Sequence, residues 1–328
     1  MTNLRVLLGG TKSDWIRLYQ GVKQGGITSM LLYISFINGL LIELTKSNLG
    51  TVTLGVNTDN AGFADDMSLI SNFEINMQCM LNIVTRYSRT WRFDFGIDKC
   101  ASLVFNYDTI PNFILCDQVI KSVTEYVHIG VPVFTKNSVS KQFINDKIDA
   151  CRRKFYALVG CSLYKTTLSP PALAKIFISV VISKLIYGAE VREFKNPEIV
   201  EYDKFHKHIA KSIQCLPSHA PNCTSLANLG WLDIPCLIII KKLLYVHQLL
   251  RQNFDSTYRI LFLRRLFYIS ISQSNIHRGP VAEVVKYLIY YDLLNELFEM
   301  IITGHLCTKS QWKKMIYKCV SERSNASW

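Results

Sequence analysis

The chain has 328 residues, of which 49% are hydrophobic, and its mean hydropathy is positive at +0.16. That excludes wholesale disorder and leaves room for two ordinary domains. The net charge of +12 is unevenly divided, with 10 Lys/Arg against 11 Asp/Glu in residues 1–135 and 27 against 14 in residues 136–328. Such a basic half suits either a solvated helical surface or a phosphate-binding face. The ten cysteines include no Cys-x-x-Cys and none lies closer than eight positions to another, so they read as reduced thiols. With no apolar signal segment among the first residues, the expectation is an intracellular protein, nuclear or cytoplasmic and not secreted.

In chain order, Gly25 to Ile42 carries no charged residue and is just long enough to approach a bilayer span. Thr28, Ser29, Ser35 and Asn38 break its apolarity, so it is read as a buried core helix over Ser29 to Leu44, capped by Ser29, with no membrane involved. Thr51 to Val56 and Ser68 to Ile70 are β-prone runs on either side of the turn-formers Asn57, Asp59, Asn60 and Gly62, which predicts a hairpin. Asn76 to Trp91 places Met77, Met80, Leu81, Val84, Tyr87 and Trp91 on one helical stripe. Short strands are expected at Ala101 to Phe105, Phe113 to Leu115 and Tyr126 to Ile129.

Beyond Lys136 the pattern becomes long amphipathic helices: Lys141 to Val159, Pro170 to Tyr187, Pro197 to Gln214, Pro235 to Arg251, and at least two more. Pro170, Pro197 and Pro235 stand where proline can start a helix. The predicted fold class is α+β over residues 1–135, followed by an all-α basic region over residues 136–328.

The chemistry centres on Ala61-Gly62-Phe63-Ala64-Asp65-Asp66-Met67-Ser68-Leu69-Ile70, adjacent carboxylates at a turn with β-formers on each side. Nucleotidyl transfer uses this arrangement, because two carboxylates on one tight turn can approach one Mg²⁺-phosphate cluster. By itself an Asp-Asp pair in a loop is usually a solvated turn. Upstream lies Gly21-Val22-Lys23-Gln24-Gly25-Gly26-Ile27-Thr28-Ser29, opening the apolar helix.

Together these blocks resemble the palm of reverse transcriptases from LINE-like, non-LTR retrotransposons: a Gln-Gly-x-x-x-Ser block, then a Phe-Ala-Asp-Asp hairpin, in the family's order. The resemblance implies that Asp65 and Asp66 bind Mg²⁺ and that Asp65 is the firmer ligand. It also implies that Gln24 and Gly25 lie along template and incoming nucleotide, with Phe63 and Ala64 at the nascent pair. Trp91-Arg92-Phe93-Asp94-Phe95-Gly96-Ile97-Asp98-Lys99-Cys100 looks like the next palm block, in which Lys99 would neutralise or protonate departing pyrophosphate; Gly96 replaces the usual Asn. Tyr126-Val127-His128-Ile129-Gly130-Val131 resembles the strand that grips the primer.

Two departures stand out. Met30 follows Ser29 where the family commonly has Pro, and the palm's other aspartate, expected well upstream of Gln24, is not found. Asp14, in Lys12-Ser13-Asp14-Trp15-Ile16, lacks the Phe-Asp context and reads as a surface or capping residue. The expectation is therefore a partial palm followed by a thumb-like region. Its family reaction is RNA-directed DNA synthesis from dNTPs on an RNA template with a DNA primer, and the chain as it stands is inactive. The alternative is a non-catalytic nucleic-acid-binding remnant. Cys215, His219 and Cys223, near His206 and His208, could suggest zinc, but Pro217 and Pro221 disrupt a shared face, and ordinary packing is favoured.

Overall fold

The computed structural model describes residues 2–18, 21, 25–107, 109–135, 139–158, 169–272 and 278–326. The chain divides into two compact units, Met1–Ser102 with Thr109–Ser122, and Leu103–Asp108 with Val123–Trp328. The sequence division at residue 135 thus differs from the contact division by the hairpin Glu125 to Phe134 and by Leu103–Asp108, both of which go with the helices.

The first unit opens with a nested ladder, β1 (Thr2–Leu4) pairing with β4 (Ile16–Leu18) outside β2 (Leu7–Leu8) and β3 (Thr11–Lys12). Helix α1 (Ser29–Ser47) follows, its backbone cap at Thr28 and not Ser29, with no side-chain cap bond. Two hairpins come next in place of the single one expected: β5 (Val52–Thr53) with β6 (Val56–Asn57), then β7 (Asn60–Phe63) with β8 (Asp66–Leu69). The first turns at Leu54-Gly55, both at positive φ, which is the conformation a two-residue hairpin loop favours. Helix α2 (Glu74–Trp91) buries Met80, Leu81, Val84 and Tyr87 of the predicted stripe, while Met77 is half-buried and Trp91 exposed. A single 3-10 turn, Ile97–Lys99, leads to β9 (Ala101–Ser102), β10 (Phe113–Leu115) and β11 (Gln118–Ser122), with β11 antiparallel to β10 and parallel to β9.

Here the core is small. Leu40 and Leu44 of α1 meet α2, the Tyr87 hydroxyl donates to the Phe36 carbonyl at 2.6 Å, and Gly39 leaves room for that hydroxyl. Gln78 satisfies the edge of β10 as a strand would, donating to the Ile114 carbonyl and accepting from its N–H, both at 2.9 Å. The expectation that α1 is buried all round is corrected: Met30, Leu31, Leu32 and Ile34 are exposed, and only Leu40 and Leu44 are fully buried. An apolar pattern states what a helix can bury, and in this unit the contacts with α2 start at Phe36, which meets Tyr87 and Trp91, beyond the exposed first turns.

The second unit begins with β12 (Glu125–His128) and β13 (Val131–Phe134), followed by α3 (Lys141–Leu158). Helix α4 (Pro170–Phe177) continues through a π-helical turn, Ile178–Ile182, into α5 (Ser183–Leu185). Then come α6 (Asn196–Ile213), α7 (Asn222–Ala227), α8 (Ile234–Leu250), α9 (Thr257–Ile271), α10 (Pro280–Tyr290), α11 (Leu294–Thr303) and α12 (Lys309–Ala326). Proline occupies the first turn of α4, α6, α8 and α10, where its missing N–H costs nothing.

Helix α8 joins two apolar clusters. Ile234 and Ile238 belong to one with α3, α4 and α6, while Cys236, Ile240, Leu243 and Val246 belong to the other with α9 to α12. A helix serving two clusters must be apolar on nearly every side, and each fully buried Leu or Ile contributes about 1.5–3 kcal/mol. Asp233 caps it by accepting from the Cys236 N–H at 2.9 Å, and Trp312 of α12 donates its indole N–H to the Leu243 carbonyl at 2.9 Å.

Candidate active-site hairpin and basic surface

The β7–β8 hairpin is fastened at its base and open at its tip. Gly50 approaches Asp59 so closely that a Cβ there would stand 1.8 Å from the Asp59 Cβ. Asp59 is buried, its carboxylate accepting from Asn57 Nδ2 at 3.2 Å and from Asn60 Nδ2 at 2.9 Å, while its carbonyl accepts from the Ile70 N–H at 2.7 Å. Asn60 Nδ2 also reaches Thr45 Oγ1 of α1 at 3.0 Å, and Gly62 lies against Leu41 of the same helix. These bonds hold the strands on the C-terminal half of α1.

At the tip, Phe63 and Asp66 are Cα partners, so Ala64 and Asp65 form a two-residue turn. Ala64 takes φ +53°, a left-handed conformation that costs a residue with a Cβ about 1–2 kcal/mol. Strain of this kind collects where a backbone is held for function. Phe63, Ala64, Asp65 and Asp66 are all exposed, so both carboxylates stand in water. Tyr33 of α1 lies within electrostatic reach: burial raises its phenol pKa, and the Asp65 charge raises it further. No spacing in the sequence ties Tyr33 to Asp65, because helix and hairpin meet only through the fold.

The other predicted residues fall as follows. Gly25 takes φ +77° with open space where a Cβ would stand, whereas Gln24 lies outside the described residues. Lys99 is exposed and ends the 3-10 turn, which packs against β11, where Lys121 Nζ donates to the Asp98 carbonyl at 2.9 Å. Asp14 sits in an exposed segment between β3 and β4, its carbonyl accepting from Ser13 Oγ at 3.0 Å.

Mg²⁺ prefers a near-octahedral shell of oxygen ligands, and a two-metal site shares carboxylates between ions about 4 Å apart. Asp65 and Asp66 offer two adjacent carboxylates, but among the described residues no group of three His, Cys, Asp or Glu converges. Asp59 adds nothing at the tip, being at the opposite end of the strand and engaged by Asn57 and Asn60. The residues present fit part of a Mg²⁺ site and do not complete one. The same holds for the zinc ligands weighed above: Cys215 and Cys223 are exposed and belong to no such group.

In the second unit, the β12–β13 turn is Ile129-Gly130, with both residues at positive φ. It rests on Tyr187-Gly188: the Tyr187 hydroxyl donates to the Ile129 carbonyl at 3.2 Å, and Cβ atoms at Gly130 or Gly188 would stand 3.0 Å from Tyr187 or 2.9 Å from Val131. Three cations from separate elements gather in this unit. Lys147 and Arg192 each lie 6.0 Å from the Phe143 ring centroid, and the Lys147 pKa is lowered by burial first, then by the charges of Arg192 and Lys184, against Cys151 and Glu198. Sequence reasoning missed this group because its members are far apart in the chain.

The lysine clusters behave differently from one another. Lys204 pairs with Glu201 at 2.7 Å, Lys207 pairs with Asp203, and Lys211 donates to the Ser218 carbonyl at 2.8 Å. That helix face is therefore largely neutralised where it stands. Arg152, Arg153 and Lys154 are all exposed, with Arg152 pairing with Asp149 at 2.6 Å.

No protein-family model matches the chain. It is 22% identical over 227 residues to the "Retrovirus-related Pol polyprotein from type-1 retrotransposable element R2" of Popillia japonica, a match covering 65% of this chain and 36% of that polyprotein. The chain thus spans a little over a third of the relative's length, and the similarity supports a retrotransposon origin for it.

Proposed function

We propose that the chain is a reverse-transcriptase fragment of a LINE-like retrotransposon polyprotein. Asp65 and Asp66 are the metal-facing carboxylates of a partial palm, and the basic helices hold an RNA template paired with a DNA primer. The observation that carries this reading is the hairpin tip: adjacent exposed carboxylates on a two-residue turn whose first residue, Ala64, is left-handed. The similarity to a retrotransposon polyprotein supports it. When bound, Mg²⁺ would supply charge neutralisation for nucleotidyl transfer from dNTPs. Among the described residues only part of its ligand set is present, so no transfer step is assigned to them alone. The alternative, which the partial ligand set favours, is a non-catalytic nucleic-acid-binding remnant.

Two measurements test the reading. Incubated with poly(rA)/oligo(dT), dTTP and Mg²⁺ or Mn²⁺, the polypeptide should incorporate no significant nucleotide; robust incorporation that disappears in Asp65→Ala would overturn the incomplete-site argument. By fluorescence anisotropy, it should bind an RNA–DNA duplex without sequence preference, with a log–log salt slope approaching about −0.9 per phosphate contact. Charge reversal at Arg152, Arg153 and Lys154 should weaken that binding more than reversal at Lys204, Lys207 and Lys211, the first two of which are already paired with acids. A flat salt response would remove the proposed grip on the duplex.

A further inference from the structure

Helix α9 presents an unusual outer face. Its inner side, Phe262, Leu266 and Ile269, is buried in the second apolar cluster. On its outer side Arg264, Tyr268 and Ile271 stand at i, i+4 and i+7, one stripe of a helix, with Phe267 beside them. Tyr268 is 53% exposed, Ile271 78%, and Phe254, just before the helix, 79%. From Thr257 to Ile271 there are three arginines and no acidic residue. Two of those arginines associate with the exposed rings, Arg259 over Phe254 at 4.0 Å and Arg265 over Tyr268 at 5.5 Å, and Arg265 also donates to the Arg278 carbonyl at 3.4 Å.

The composition of this face selects among partners. A merely solvated helix would intersperse acids with its arginines and would not expose aromatic rings. A helix lying on a membrane separates a cationic face from an apolar one; here cations and rings share one face, and the other is already used by the core. Rings that can stack on bases, interleaved with guanidinium groups that can meet phosphates, are what a single strand requires. A duplex meets only the cations, since its bases already stack on one another.

We infer that α9 and its flanks form a binding surface for single-stranded nucleic acid, with Tyr268 and Phe254 as stacking platforms and Arg264 and Arg265 as phosphate contacts. A helix of 15 residues is about 22 Å long, enough for a few nucleotides. The inference does not depend on the polymerase reading, because none of these residues belongs to the palm-like blocks or to the clusters proposed to hold duplex.

The test uses the full chain with fluorescein-labelled oligo(dT) and oligo(U), and an unrelated DNA duplex for comparison. Tyr268→Ala should lower affinity for both single strands about fivefold or more, the consequence of losing a stacking contact of about 1–3 kcal/mol. Tyr268→Trp should retain it, and duplex binding should be unchanged in both. Arg264→Gln with Arg265→Gln should reduce the log–log salt slope by about 0.7 per lost contact. The three side chains, Arg264, Arg265 and Tyr268, are exposed or half-buried, so circular dichroism melting should match the parent chain. Unchanged oligo(dT) and oligo(U) binding in Tyr268→Ala and in the arginine variant would overturn the inference. So would a face that binds phosphatidylserine vesicles, or a second copy of the chain, with oligonucleotide binding unaffected by these substitutions. Loss of duplex binding on charge reversal at Arg152, Arg153 and Lys154 would leave the α9 result standing, which separates the two readings.

Discussion

Glu198 has no exposed surface, yet its carboxylate is paired with Arg192 and accepts from the Tyr202 hydroxyl at 2.9 Å. Arg192 is itself nearly buried and lies 4.1 Å over the Phe194 ring. Burial and the Glu198 charge push the Tyr202 phenol pKa well up, so it remains a donor at any ordinary pH. Changing Glu198→Leu strands the guanidinium in a poorly solvated site. Breaking a buried pair in this way costs about 3–5 kcal/mol, to which the orphaned Tyr202 hydroxyl adds about 1–3. Against a typical domain stability of about 5–15 kcal/mol, that removes a large share. Removing the whole network together should be far milder: Arg192→Met, Glu198→Leu and Tyr202→Phe in one chain should melt within about 2 kcal/mol of the parent, because no charge is left stranded. Urea unfolding with the slope held constant reads both values. A Glu198→Leu cost below about 1 kcal/mol, or a triple variant whose loss equals the sum of the singles, would refute the argument, since uncoupled side chains add.

Other outcomes follow from the same structure. His206 is buried, its ring parallel to Trp231 at 4.7 Å between centroids and to Phe177 at 6.1 Å, with Nε2 3.1 Å from the Leu232 carbonyl; burial lowers its pKa to about 4, partly offset by that carbonyl and by Asp203 and Asp233. Its folded pKa lies below the unfolded value of about 6.5, so its share of stability is complete above that pH and is lost as pH falls towards 4, up to about 3 kcal/mol. An imidazole resonance that titrates near 6.5 in the folded chain would contradict this. Gly50→Ala drives a Cβ into Asp59 and should loosen the β7–β8 hairpin, seen as faster amide exchange at Ile70, whose N–H the Asp59 carbonyl holds; unchanged exchange would count against that fastening. Ala64→Gly relieves the left-handed penalty and should slow exchange across the same hairpin by up to about 1 kcal/mol in opening free energy, less the entropy of the added glycine; faster exchange would argue against a strained turn.

How much of this could be read in the sequence depended on whether the signal was local. Helix α2 and the basic helices α3, α6 and α8 lie close to their predicted bounds, because apolar period and first-turn proline are properties of contiguous residues. The pair Asp65-Asp66 was visible for the same reason. The turn assigned to Asn57, Asp59 and Asn60 was misplaced because in the fold they bind one another at the strand base; the hairpin turn falls on Ala64-Asp65, where the carboxylate pair had set it. Strand β11 was missed because Gln118 to Ser122 alternates weakly, and only Ile120 is buried. Helix α4 was expected to run unbroken to Tyr187, and the π-helical turn inside it has no sequence signature.

The apolar helix and the lysine face went astray for one physical reason. A count of apolar or charged residues measures a capacity, and that capacity is spent only when another group comes within contact distance. Along α1 the capacity to bury is spent at Leu40 and Leu44, while Met30, Leu31, Leu32 and Ile34 remain bare. Along α6 the reverse occurs, because the capacity of Lys204 and Lys207 to attract phosphate is met by Glu201 and Asp203 one turn earlier on the same helix. An exposed pair of this kind is worth only about 0.2–1 kcal/mol, so phosphate can compete for the lysine, but each acid still subtracts from the field a polyanion would meet. The net excess of the basic half is therefore expressed most fully where cations gather without an acid one turn away. In the helices that follow α8, α9 carries three arginines and no acid within its own span, with exposed rings set among them.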